Sequence, residues 1–465
     1  MIAAHPSRLT PDAASRIVWA LFAVGLLIAV GMLARSQVGG DQLDLLARGW
    51  LLAAKGRWIA YGNPMSTGGK APGAITSLLV ALPLFLWRDH RAASALVLAF
   101  HVAAYLLLDG TLKRILTPYE RVLLALLYWL NPWQLYYASF LWNPNYLYLF
   151  GVVHLWSALA QRQRARFWPS FLHVAGLGLA LQIHASCLLL VVASVLLAWR
   201  RYFRVHWPGA ILGGLIAAIP LAPWAIEVTA HPALVTEASK GFPGRGLLLV
   251  FPLLRGLLYW MRNASLAVSG RMDAFDFSDL LGSDRWLGPG LRMLSTIVLS
   301  ATVAIPLLAN FRLWRRGGRM LRQRLPPGRS ARSWLKGYAR VCFVAAAIVF
   351  GISPTTIMSW QVLVLLHAGI LPVILWTGAL GRSRLAPRMA TVTLVYAVVE
   401  IALLIAMALG GSQYRCSGHN GADGFGFRLA YDSPMFRELH IQQTCHWPVN
   451  VPGGWWPDVL PKPEE

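Results

Sequence analysis

The run IVWALFAVGLLIAVGML (residues 17–33) carries no charged side chain. Wound as a helix at 1.5 Å per residue, it is roughly 25 Å long, close to the thickness of a bilayer's hydrocarbon core. Comparable runs recur as far as residue 410. A chain inside lipid must satisfy every backbone N–H and C=O internally, so only helices and closed barrels cross. Barrel strands are short and alternate apolar with polar residues. These runs are continuous and rich in Leu and Ala, and the chain is 57% hydrophobic and 13% charged. The fold class is therefore an all-α polytopic integral membrane protein. The first run is long for a signal-peptide core and has no small-x-small cleavage site, so it reads as a retained helix.

Crossings are expected near residues 17–34, 92–110, 119–138, 145–160, 168–184, 186–199, 209–226, 291–312, 339–353, 361–379 and 389–410, about 11 spans. The net charge of +23 sits mostly in short loops between them: KRILTPYER (113–121), RQRAR (162–166), RRYFR (200–204), the stretch 312–337 and GRSRLAPR (381–388). Such placement reads as the positive-inside signal and not as a nucleic-acid surface.

Keeping all these clusters on the cytoplasmic side has a topological cost. If APGAITSLLVALPLFLW (71–87) were a span, every later basic loop would change sides. The segment therefore reads as an interfacial helix in the first extracytoplasmic loop. A genuine span with a later re-entrant helix stays open as the alternative. Residues 1–410 then form the transmembrane domain. The outer face carries the loop 35–91, the turn 136–145, the loop 227–290 and a tail, 411–465.

The polar chemistry concentrates on that face. Asp41, Asp44 and Arg48 share one face of an amphipathic helix whose other face is Leu43, Leu46, Ala47 and Trp50. Asp41 could act in chemistry or cap the helix, and Asp44 could do the same or pair with Arg48. In NPMSTGGKAPG (63–73), Lys70 opens the flat helix as a phosphate ligand or as a snorkelling lysine. Asn143 and Asn145 flank Pro144 among Trp133, Tyr136, Tyr137, Trp142, Tyr146 and Tyr148. Amides among rings suit a sugar pocket, though Asn is also a good cap. Gln182 and His184 are polar residues near the outer end of an apolar run, where such groups are costly and mark functional candidates. Arg255 and Arg262, seven apart on one helix face, suit a phosphate grip or contact with lipid headgroups.

Glu400 is an acid inside the last span. Cys187 and Cys342 lie in apolar runs and read as core. Cys416 and Cys445 read as a disulfide in the outer tail, in preference to a zinc site with His419 and His440.

Taken in order, GGDQLDLLARGWLLAAKGRW, GGKAPG, SFLWNPN and LQIHAS resemble the C-type (GT-C) superfamily of membrane glycosyltransferases. The nearest branch is the bacterial one related to protein mannosyltransferases and lipid A aminoarabinose transferases. The resemblance covers residues 15–230 most clearly. It implies a multi-pass enzyme of the bacterial inner membrane whose site faces the exterior. Such an enzyme moves a sugar from a polyprenyl-phosphate donor to a glycan, glycolipid or protein acceptor of the cell envelope. By position, Asp41 matches the family's catalytic acid and Lys70 its phosphate-contacting lysine.

The family often has a second acid where this chain has Gln42, and another at the outer turn where this chain has Asn143 and Asn145. A metal bridging two acids is therefore not expected, and no cofactor is needed. A sugar phosphate already carries its leaving group, so one carboxylate acting as base suffices for inverting transfer. On this reading Asp41 is the base. Lys70 with Arg255 or Arg262 steadies the phosphate, and Gln42, Asp44, Asn143, Asn145, Gln182 and His184 line the substrate pocket. Two other readings are a transporter or flippase of lipid-linked sugars and a glycan polymerase or ligase. A transporter should show an internal repeat and polar groups at mid-membrane. The chain shows no convincing repeat, and its polar groups gather at one face.

Overall fold

The computed structural model describes residues 9–35, 40–65, 68–236, 250–267, 293, 296–315, 330–410 and 459. It is helical nearly throughout. The first half contains α1 (Pro11–Arg35), α2 (Gly40–Lys55), α3 (Ile75–Leu86), α4 (His90–Leu112), α5 (Pro118–Leu124), α6 (Pro132–Ala138), α7 (Leu147–Ala160), α8 (Phe167–Ile183) and α9 (Leu188–Trp199). After these come α10 (Trp207–Ala218), α11 (Leu221–Ala230), α12 (Ala233–Thr236), α13 (Val250–Asn263) and α14 (Ala304–Arg315). The last are α15 (Ala331–Gly351), α16 (Ser359–Val362), α17 (Leu366–Leu380) and α18 (Ala386–Gly410). One small antiparallel hairpin, β1 (Tyr61–Pro64) with β2 (Lys70–Pro72), joins α2 to α3.

Length and composition mark six described helices as able to cross a bilayer, and the α10–α11 pair, bent by 44° at Pro220, makes a seventh. The stretches expected to cross at 119–138 and 186–199 are built from shorter pieces. Near 119–138, α5 runs into a π-turn at Ala125–Trp129, where Leu130 N–H reaches back to Ala125 C=O at 3.0 Å. Asn131 then starts α6, its side chain accepting from Trp133 N–H at 3.0 Å. Between α8 and α9 the chain breaks at His184, whose backbone is extended.

The basic clusters meet at one end of this bundle. Glu120, fully buried, accepts from both Arg332 and Arg382, and with Thr117 forms the capping box of α5. Trp334 Nε1 donates to Tyr202 C=O at 2.8 Å, and Arg204 N–H to Gln161 C=O at 3.1 Å. These bonds link the first basic loop to the last two, and the second and third to each other and to the start of α15. The segment from α2 to α4 begins and ends at the opposite end. There Asp41 binds Trp142, and Ser94 Oγ accepts from Leu141 N–H at 3.2 Å. Residues 71–87 therefore do not traverse the bundle; α3 lies along α2, so close that a side chain at Gly49 would collide with Val80.

The interior combines rings with a polar chain. Phe22, Tyr105 and Trp129 stack with centroids 5.2–5.8 Å apart. Tyr338 Oη lies 2.8 Å from His154 Nδ1 and 2.9 Å from His367 Nε2. Ser194 Oγ is 2.9 Å from the Nε2 atoms of both His154 and His173. Ser194 donates to Leu190 C=O at 2.9 Å, so both imidazoles must donate to it. His154 Nδ1 then accepts from Tyr338. The chain of bonds ties α7, α8, α9, α15 and α17 together inside an apolar bundle, where an unmade hydrogen bond is costly. Glu400 is also buried, on α18. Cys187 and Cys342 are buried free thiols. Cys416, Cys445 and the rest of the tail lie outside the described residues apart from Val459, which packs on Ala47, Leu51 and Ile59.

Candidate active site at the hairpin end

The sequence suggests α2 as a surface helix with one wet face. The structure covers both faces: every residue from Leu43 to Trp50 is buried. Burial of the polar face is possible because its charges are satisfied. Arg48 donates through Nε and Nη2 to both oxygens of Asp44 at 2.9 and 3.0 Å, and through Nη1 to Tyr61 C=O at 3.2 Å. Its guanidinium also lies 4.9 Å from the Tyr61 ring. A paired, fully bonded ion pair of this kind is tolerated where a lone charge is not. Asp44 thus spends both oxygens on fixing α2 to the hairpin.

Asp41, one turn earlier, differs. It is exposed at the start of α2, and its Oδ2 accepts from Trp142 Nε1 at 3.0 Å. Asn63 Nδ2 donates to its backbone C=O at 3.1 Å, tying it to the hairpin. Crowding by surrounding protein raises the pKa of this carboxyl; the Trp142 bond opposes that shift, and the nearby Asp44 charge adds to it. Gln42, beside it, is half-buried.

Trp142 connects Asp41 to the far side. Its ring sits 6.1 Å from Tyr137 and meets Trp360 edge-on at 4.8 Å. Two residues before Trp360, Met358 Sδ accepts from Arg255 Nη2 at 3.2 Å, and Tyr259 Oη accepts from the same nitrogen at 3.4 Å. Among the described residues, no carboxylate forms an ion pair with Arg255. Asp41 and Arg255 are thus linked through Trp142, Trp360 and Met358, two residues before that ring. Arg262 points elsewhere: it donates to Ala267 C=O at 3.1 Å and lies over Trp133 at 6.0 Å.

The outer turn anchors the break before α9. Asn143 Nδ2 donates to Ile183 C=O at 3.1 Å, next to His184. His184 Nδ1 accepts from Ser186 N–H at 3.2 Å, so in the neutral ring Nε2 carries the proton. Asn145 turns inward instead. It is buried, donates to Phe140 C=O at 2.9 Å, and offers its own C=O to His101 at 2.9 Å. Gln182 is buried too, its Nε2 donating to Gly178 and Ala217 carbonyls at 3.0 and 2.6 Å. Its Oε1 abuts Gly73, whose φ of +88° starts the turn into α3. Lys70, buried in β2, lies three residues before that glycine. The hairpin bearing Lys70 therefore rests on α8 through Gly73 and on α12 through Gly69, which touches Leu234.

The geometry brings Asp41 together with Trp142, and Asn143 with the His184 break. Arg255 joins them through Trp360 and Met358. It leaves Asn145 and Arg262 in other contacts. Nothing in the sequence singles out Trp360, Met358 or Tyr259 as partners of this site. The signal available was the polar, proline-containing interruption SPTTIMSWQ (353–361) between two apolar runs. Among the described residues, no three His, Cys, Asp or Glu side chains group closely enough to hold a metal.

No protein family's sequence profile matches the chain, and no curated protein matches it. Solved structures do. The chain is similar to ArnT from Cupriavidus metallidurans in the apo state, with a TM-score of 0.54 and 14% identity over 86% of this chain and 78% of that one. It is also similar to the same protein bound to undecaprenyl phosphate, with a TM-score of 0.50 and 15% identity over 85% of this chain and 78% of that one. The chain has the polytopic α-helical fold of ArnT.

Proposed function

We propose that this chain is a membrane glycosyltransferase that moves a sugar from a polyprenyl-phosphate donor to a hydroxyl of a cell-envelope acceptor, at the outer face of the inner membrane. The observation that carries the reading is the Asp41–Trp142 bond, which holds one carboxylate oxygen and, among the described residues, leaves the other open at the end of the bundle that also bears Arg255. The shared fold with a protein solved with undecaprenyl phosphate supports the class of donor.

In the proposed reaction the acceptor oxygen attacks the anomeric carbon from the face opposite the phosphate. The new C–O bond forms as the bond to the phosphate oxygen breaks. The acceptor's proton passes to the open oxygen of Asp41, and polyprenyl phosphate leaves with the electron pair. A carboxylate whose pKa is raised by crowding is a stronger base than an ordinary aspartate. Arg255 and Lys70 are the cations offered to the departing phosphate, stabilising charge where it develops. The Trp142–Trp360 pair offers ring faces to a sugar, and His184 Nε2–H a donor. Asp44 and Asn145 serve by positioning α2 and the outer turn.

The test is transfer from polyprenyl-phosphate sugars in membranes holding wild type or Asp41→Asn. Transfer by wild type and loss in the variant, at equal expression, is the expected result. Wild-type membranes that export or flip the lipid-linked sugar without forming a new glycosidic bond would favour the transporter reading.

A further inference from the structure

At the basic end, far from Asp41, a cleft of about 200 Å³ opens between α14, α15 and α17. Arg312, Lys336, Arg340 and Trp376 line it, with Pro372 in its wall and, among the described residues, no acidic residue in its lining. Topology alone does not explain Arg340. The positive-inside signal needs charge in loops, whereas Arg340 lies nine residues into α15 and is only 3% exposed.

The cleft is built. Arg340 Nη2 donates to Leu313 C=O at 2.6 Å, in the last turn of α14, where carbonyls lack helical partners. That bond fixes α14 against α15 and holds the guanidinium at the wall. Arg312 is held over the Trp376 ring at 5.2 Å. Pro372 interrupts α17 one turn before Trp376, where it removes a backbone N–H.

The depth and surroundings identify the ligand. Arg312 is one turn from the end of α14, and Trp376 one turn from the end of α17. Both stand at the level where helix ends meet headgroups. On α14, Leu307, Leu308 and Phe311 beside Arg312 are 55%, 49% and 60% exposed, an apolar surface suited to acyl chains. A cleft lined by three cations, with Arg312 near its mouth and an acyl-compatible face beside it, suits a phosphate bearing lipid tails. We propose that this cleft binds the phosphate headgroup of an anionic lipid on the leaflet opposite the Asp41 end.

The test uses the full-length protein in neutral detergent. Binding is read by native mass spectrometry and by the thermal shift on adding phosphatidylglycerol, phosphatidylcholine, glycerol phosphate or inorganic phosphate. Wild type should prefer phosphatidylglycerol over phosphatidylcholine by roughly tenfold, and Arg312→Gln/Lys336→Gln should lose most of that preference. Arg384→Gln, an exposed arginine at the same end but outside the cleft, should keep it. Arg312→Gln alone should lose part of the preference, and it decides the matter if the double variant does not fold. Equal binding of the two lipids by wild type would overturn the proposal. So would an equal loss in Arg384→Gln, or saturation by glycerol phosphate or inorganic phosphate at the same concentrations. Sugar transfer is not needed for any of these readouts, so failure of the proposed enzymatic activity leaves this test intact.

Discussion

Trp142 donates its indole N–H to Oδ2 of Asp41 at 3.0 Å across 101 residues of sequence. The bond lowers the pKa of a carboxyl that crowding otherwise raises, and the net direction remains upward from 3.8. Transfer driven by Asp41 as base should therefore fade, as pH falls, at a higher pH than an ordinary aspartate would give. Trp142→Phe removes the opposing bond, so its acidic limb should move further up in pH. A pH profile of kcat/KM for the two proteins checks this; a limb that stays put or moves down would show that the bond does not tune the base.

Gly73 holds a left-handed φ of +88° against Gln182. Gly73→Ala should cost at least about 1 kcal/mol through backbone strain, and more through the collision. Adding Gln182→Ala should relieve the collision and recover part of the loss in thermal stability. Recovery of none of it would mean that the hairpin does not rest on α8 at this point.

Glu120 is fully buried between Arg332, 27% exposed, and Arg382, 43% exposed. Glu120→Gln leaves both guanidiniums without their acid. A fully buried pair broken in this way loses about 3–5 kcal/mol, and these arginines can rehydrate, so roughly 2–3 kcal/mol is expected. The lowered melting temperature should be seen in detergent without any change in which loops are accessible from each side.

Tyr338→Phe keeps the ring but strands His154 Nδ1 and His367 Nε2 in the core. The expected loss is about 1–3 kcal/mol, measured by thermal unfolding. An unchanged midpoint would show that the two histidines find other partners.

Much of the architecture was legible because its causes are local. Continuous apolar runs mark helices, and the basic loops between them account for one end of the bundle. The same bookkeeping favoured 71–87 not crossing, and the contacts that bracket the segment, at Asp41 and Ser94, lie at one end of the bundle. The Asp44–Arg48 pair was readable as a one-turn spacing. The rest depended on distant contacts. Nothing near Arg255 in sequence points to Met358, 103 residues away, and Trp360 reaches Trp142 only because α16 folds back under the outer turn. The burial of the polar face of α2 was hidden because the hairpin that covers it is short and weakly patterned. Asn143 and Asn145 look alike in sequence, yet one secures the His184 break and the other bonds within its own turn.

In the proposed reaction the open oxygen of Asp41 takes the acceptor's proton. This step is tested most directly by single-turnover transfer with Asp41→Asn, alongside binding of polyprenyl phosphate to the same protein. Binding should be kept while the rate of transfer falls by about 10²–10⁴-fold. A rate equal to that of wild type, with binding unchanged, would contradict it.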